Sequence, residues 1–192
     1  MTSCGFSAAA IDAPGHGDRP CSAEDQRWVA EMMRARGAGE PIDRIVADFN
    51  ASLAERAVPE WQATLDALQA LPGIGADAPV GYSGMTLASA IGLPLAAVEP
   101  RIAAAVLGAV FASDSVIDAA RRTTIPVQFL LPWDDVEINR RSGLQVFDAF
   151  ASPEKTLHAH AGDHHQVPWF ETEDSVRFFA RHLGSRTAVT AG

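Results

Sequence analysis

The chain has 192 residues, 47% of them hydrophobic and 20% charged, and a formal net charge of −9. That balance fits one globular domain across residues 1–192 rather than a disordered chain, and the scattered arginines on an acidic background argue against a nucleic-acid partner. Cys4 and Cys21 lack metal-type spacing, the N-terminus has no basic start or long apolar run, and the stretch from Ile102 to Ala112 is too short to span a bilayer. A cytoplasmic protein without disulfides or a membrane partner is therefore expected.

In chain order, Phe6–Ile11 reads as a short buried strand ended by the Asp12-Ala13-Pro14-Gly15 turn. Ser22 with Glu24 and Asp25 opens a helix that runs to about Arg36. Pro41 opens a second helical stretch, with Ile42, Ile45, Val46 and Phe49 on one face, expected to break near Pro59 and to stop at Pro72-Gly73. Pro79–Tyr82 is a strand, followed by a helix of small residues ending near Glu99-Pro100. Ala103–Phe111 is the next strand, Ser113–Arg122 a short helix, and the segment from Ile125 an apolar strand of the kind buried on both faces. A helix across Leu144–Phe150, a strand from Thr156 and a closing helix complete the alternation, which implies a parallel sheet between helical layers. Little sequence separates the Ala103 and Ile125 strands, so no separate lid domain is expected.

The chemistry-bearing signal lies between Ala78 and Pro94, where a short strand runs into a helix through a glycine-bearing turn. A nucleophile elbow has this layout: a hydroxyl residue on a strained turn, with small residues two places before and after it. Two registers fit. Ser83 places bulky Met85 at the second crowded position, whereas Thr86 places Gly84 and Ala88 there, so sterics favour Thr86. A β-branched residue, however, suits the unusual backbone poorly. Downstream, Asp134-Asp135 follows the Ile125 strand, and Gly162-Asp163-His164-His165 follows the Thr156 strand. Hydroxyl, acid and histidine, each just past a strand, could converge on one edge of a parallel sheet.

On these residues the chain resembles the α/β hydrolases, in the dienelactone-hydrolase and esterase-like branch. AAAIDAPGHGDRP (Ala8–Pro20) is similar to the strand and Asp-x-x-Gly-His-Gly loop that such proteins carry upstream of the nucleophile. DDVEIN is similar to the acid loop, GDHHQVP to the histidine loop and ETEDSVRFFARHL to the closing helix. The resemblance implies a three-layer α/β-hydrolase-like sandwich with a reduced, mainly parallel sheet of about five strands. It implies Thr86 (or Ser83), Asp135 and His164 as catalytic residues and the Leu87 N–H as oxyanion donor. Two departures stand out: family members carry serine where Thr86 stands, and about three strands precede the Asp12 strand there, including one that supplies a second oxyanion donor. Only Met1–Gly5 precede it here.

The expected function is hydrolysis of an ester, lactone or thioester bond of a small apolar metabolite, without cofactor and at a low rate. The alternatives are a non-hydrolytic descendant that binds a metabolite or shapes a ring closure, and a subunit without catalysis. Tyr82, Met85, Trp133 and Trp169 flank the site loops and are candidate substrate contacts, although each could equally pack a core edge. A homodimer is expected, because an unpaired sheet edge beside the elbow strand calls for cover, unless the Phe6–Ile11 strand slides over to pair there. His158 and His160 share one face of a strand and could begin a metal site. No close cysteine or second histidine pair completes it, so no metal is expected. Gly15-His16-Gly17 lacks the lysine and hydroxyl of a phosphate loop.

Overall fold

The computed structural model describes residues 5–164 and 166–184; Cys4 and His165 lie outside them. Six helices and four strands alternate from the third element onward: α1 (Ala23–Gly37), α2 (Asp43–Gln69), β1 (Val80–Met85), α3 (Leu87–Val98), β2 (Ile102–Gly108), α4 (Asp114–Arg122), β3 (Val127–Pro132), α5 (Arg140–Ala149), β4 (Lys155–His160) and α6 (Trp169–Leu183). The strands form one parallel sheet in the order β1-β2-β3-β4. All strands therefore point the same way, and the segments that leave β1, β3 and β4 emerge on one edge.

Alternation along the strands sorts side chains to two faces. Tyr82, Ala105, Leu107, Val127 and Phe129 pack with Leu93, Val116 and Val146 beneath α3, α4 and α5. Ala104, Val106 and Leu130 face Phe178 and Phe179 of α6. β3 is buried at every position, and its one polar residue, Gln128, donates to the Ser175 hydroxyl of α6. The fold is thus a three-layer α/β sandwich with a reduced parallel sheet.

Two expectations change. Phe6–Ile11 joins no strand: Ser7 to Ala10 are exposed, and Phe6 alone packs, against the α6-side cluster. Three consecutive alanines offer little apolar area to bury. The sheet consequently has four described strands rather than about five, and the slide of this segment onto β1 does not occur. α2 also runs unbroken through Pro59. Pro59 and Glu55, whose carbonyl loses its helical donor, are both exposed, so water can satisfy that group.

Two buried carboxylates fasten the helical layer over β1 and α3. Asp25 closes a capping box with Ser22 at the start of α1 and takes a two-pronged ion pair from Arg56 of α2, at 2.6 and 3.2 Å. Glu99, at the α3–β2 turn, takes two bonds from Arg101, whose guanidinium also reaches Asp66 of α2 at 2.6 Å. Hydrogen bonds from these arginines hold both carboxyls down, each at about 2. A depressed carboxyl stabilises the fold above its unfolded pKa and loses that effect as the pH falls through its folded one. Stability should therefore drop between about pH 5 and pH 2. Glu99→Gln should lower stability at neutral pH and flatten that drop, as measured by urea denaturation across the range; parallel pH profiles for parent and variant would contradict the assignment.

Candidate active site

β1 enters α3 through Thr86, which has φ 55° and ψ −117°. Positive φ is disfavoured for any residue with a Cβ and more so for a β-branched one. The cause is next door: a Cβ added to Gly84 would lie 2.8 Å from the Cβ of Ala88. The strand before Thr86 and the helix after it nearly touch, so the chain reverses at one residue. Ser83, the rival candidate, sits within β1 opposite Val106, with an exposed side chain and no part in the turn.

The turn is clasped from below by a residue that the sequence reading passed over. Ser89 is fully buried; its hydroxyl accepts from the Gly108 N–H at 2.8 Å and lies 2.7 and 2.8 Å from the carbonyls of Gly84 and Gly108. The Thr86 N–H donates to the same Gly108 carbonyl at 3.1 Å. A polar residue three places after the elbow, amid Leu, Ala and Ile, was the available signal. Leu87 is the first residue of α3, where backbone N–H groups have no acceptor within the helix and the helix dipole is positive.

On the same edge of the sheet, the loops that leave β3 and β4 are stitched together. The Trp133 N–H donates to His160 O, the Asp134 N–H to Gly162 O, and the Gly162 N–H to the Asp134 carboxylate, at 2.8, 3.0 and 3.1 Å. This brings Asp135 and His164 into contact: His164 Nδ1 lies 2.8 Å from Asp135 Oδ2, with side chains 11% and 1% exposed. The other oxygen, Oδ1, accepts from the N–H groups of Glu137 and Ile138 at 2.8 and 2.9 Å. A carboxylate fixed by two backbone donors has one oxygen left to orient an imidazole.

The proposed substrate contacts fare differently. Tyr82 is enclosed: its ring packs edge-on to Trp61, and its hydroxyl donates to Ala88 O at 2.7 Å. Burial pushes the phenol well above its ordinary pKa. Tyr82 is thus a strut beneath α3, and a side chain at Gly92 would strike its ring. Met85 packs on the α6-side cluster. Trp133 stacks under Arg140, with 4.6 Å from guanidinium to ring centre, and lines a shallow groove with Asn139, Leu144 and Gln145. Trp169 is mostly exposed, and its indole N–H donates to Glu173. A second, apolar groove of about 380 Å³ runs between α2, α3 and α4, lined by Ala54, Val58, Ala90, Val110 and Phe111; Thr86, Asp135 and His164 are not among its walls.

Among solved structures the chain is similar to a cold-adapted esterase from an Arctic intertidal metagenomic library. The two share 29% identity; the zinc-bound structure covers 73% of this chain and 63% of the esterase at a TM-score of 0.65. The PEG-bound structure of that esterase covers 90% and 68%, again at 0.65. An esterase of Pyrococcus furiosus matches at 11% identity and a TM-score of 0.59, over 66% of this chain and 62% of that one. The architecture is therefore α/β-hydrolase-like, and the chain spans just under two thirds of the length of the first of these esterases. No protein-family model and no curated protein matches the sequence. Among the described residues, no helix is long and apolar enough to cross a membrane.

Replacing Ser89 by Ala leaves the buried Gly108 N–H without its acceptor. The substitution should cost about 1–3 kcal/mol in urea denaturation, whereas Ser83→Ala on the exposed strand should stay within about 0.5 kcal/mol. Equal costs at the two positions would contradict the clasp.

Proposed function

We propose that the chain hydrolyses an ester, lactone or thioester bond of a small apolar metabolite, with Thr86 as nucleophile, His164 as base and Asp135 as its orienting acid. The observation that carries this reading is the pairing of a strained hydroxyl residue after β1 with a buried, braced Asp135–His164 contact after β3 and β4, on one edge of a parallel sheet. The esterase neighbours support the same class of bond.

With Nδ1–H held by Asp135, the His164 lone pair is on Nε2. As the Thr86 hydroxyl oxygen attacks the substrate carbonyl carbon, Nε2 takes its proton, and the Leu87 N–H donates to the developing oxyanion. Collapse breaks the bond to the leaving alcohol or thiol, which carries the proton away. Water then attacks the acyl-threonine with the same base and restores the hydroxyl.

The extra methyl of threonine crowds the tetrahedral centre and slows this cycle relative to serine. A fluorophosphonate probe, followed by mass spectrometry, should label Thr86. Thr86→Ser should raise turnover of a short-chain aryl ester, and Asp135→Asn should lower it by up to about 10⁴-fold. Labelling of Ser83 would overturn the register. A chain that binds the ester but neither labels nor turns it over would be a non-hydrolytic descendant.

We also propose a homodimer closed through β1. Of the two outer strands, β4 carries Lys155 and two histidines, whereas β1 reads Val-Gly-Tyr-Ser-Gly-Met and presents no charge to block pairing. Size-exclusion chromatography with light scattering should give about twice the 20.4 kDa chain mass; a 20.4 kDa species at all dilutions would exclude it.

A further inference from the structure

Beneath α6, away from Thr86, lies a polar cluster that the proposed hydrolysis does not use. His158 and His160 sit two apart on β4 and face the helix, while Glu171 and Asp174 sit three apart on α6 and face the strand. Nδ1 of His158 is 2.8 Å from one Glu171 oxygen, and Nδ1 of His160 is 3.9 Å from the other. The donor atoms of His158, Glu171 and Asp174 all lie within 4.8 Å of one another.

His160 makes the cluster more than a set of surface acids. Its Nε2 is 3.0 Å from the Gln166 carbonyl, which can only accept, so Nε2 carries the hydrogen and the lone pair of the neutral ring is on Nδ1. That nitrogen is buried, on a side chain 1% exposed, and has no hydrogen-bond partner among the described residues. It faces a carboxylate oxygen that is also an acceptor. Glu171 is itself 4% exposed, and its ion pairs among the described residues are with these two histidines. Two acceptors facing each other in a buried space repel unless a metal ion or a proton lies between them.

We propose that His158, His160, Glu171 and Asp174 bind a divalent transition-metal ion of the zinc type. Zinc takes nitrogen and carboxylate oxygen at about 2.0–2.2 Å, so two ligand atoms on one ion lie up to about 4 Å apart. The 4.8 Å spread of the His158, Glu171 and Asp174 donor atoms, and the 3.9 Å between His160 Nδ1 and Glu171, lie near that spacing. The hydrogen bond from the remote ring nitrogen of His160 to a backbone carbonyl is the usual outer support of a metal-bound histidine. The ion neutralises Glu171, which no Arg or Lys pairs among the described residues, and it recruits Asp174, now paired with Arg177. It also fixes the ring that holds Gln166, two residues beyond His164. The site would thus stiffen the histidine loop without touching substrate, a consequence that rests on the hydrolase reading although metal binding itself does not.

The full-length protein, stripped with EDTA and dialysed, should bind one equivalent of zinc by calorimetry. It should also develop the visible absorption of tetrahedral cobalt(II) when that ion is substituted. Glu171→Gln and His160→Ala should each weaken binding at least about 10-fold. Because those residues are buried, Asp174→Asn on the partly exposed helix face is the second variant: it should weaken zinc while circular dichroism of the metal-free protein stays unchanged. His164→Ala should bind zinc normally. Failure of the parent to bind, or binding lost with His164 and kept without Glu171, overturns the site. So does nitrogen NMR showing both His160 nitrogens protonated near neutral pH with zinc present, since a proton would then fill the gap.

Discussion

Everything at the front of the sheet depends on how closely β1 and α3 approach at Gly84 and Ala88. With no side chain at 84 and one methyl at 88, strand and helix close to contact, and Thr86 between them is forced to positive φ. Strain of this kind persists only where the surroundings over-determine it. Here the Ser89 hydroxyl ties the turn to Gly108, and the Tyr82 hydroxyl ties α3 to β1 from below. The first N–H groups of α3 begin directly after this residue.

The parallel order of the strands supplies the second condition. Neighbouring strands lie about 4.8 Å apart, so the ends of β1 and β3 are separated by about 10 Å. Long side chains and loops can cross that distance only if the loops are held. The bonds from Trp133 and Asp134 to His160 and Gly162 hold them, and the two backbone donors on Asp135 leave its carboxylate little freedom. His160 then links this edge to the polar cluster beneath α6. The histidine loop is thereby anchored on one side by the acid and on the other by a buried ring.

Much of this was legible because local pattern and tertiary need coincide. The small residues at 84 and 88 point from sterics alone to a tight turn at Thr86, and hydroxyl, acid and histidine after β1, β3 and β4 of one parallel sheet all fall on one edge. What was not legible depends on partners far away in sequence. Tyr82 looks like a site aromatic until Gly92 is seen to make room for its ring. Ser89 looks like one more small helix residue until Gly108 comes beside it. His158 and His160 lacked companions in the nearby sequence, because Glu171 and Asp174 arrive from the next helix. Phe6–Ile11 has strand-like composition, but a strand exists only where a neighbour offers a ladder. Pro59 reads as a breaker, yet on an exposed helix face the lost hydrogen bond is tolerable.

The account stands on Thr86 being held in a conformation that its side chain opposes, and the relative stability of two variants tests that directly. At ordinary helix-forming angles, Gly is less stable than Ala by about 0.5–1 kcal/mol; at positive φ the order reverses, because Gly has no Cβ to clash. Urea denaturation should therefore find Thr86→Gly more stable than Thr86→Ala by about 1 kcal/mol. Thr86→Ala as the more stable of the two would mean that the turn is relaxed, and that no elbow presents this residue.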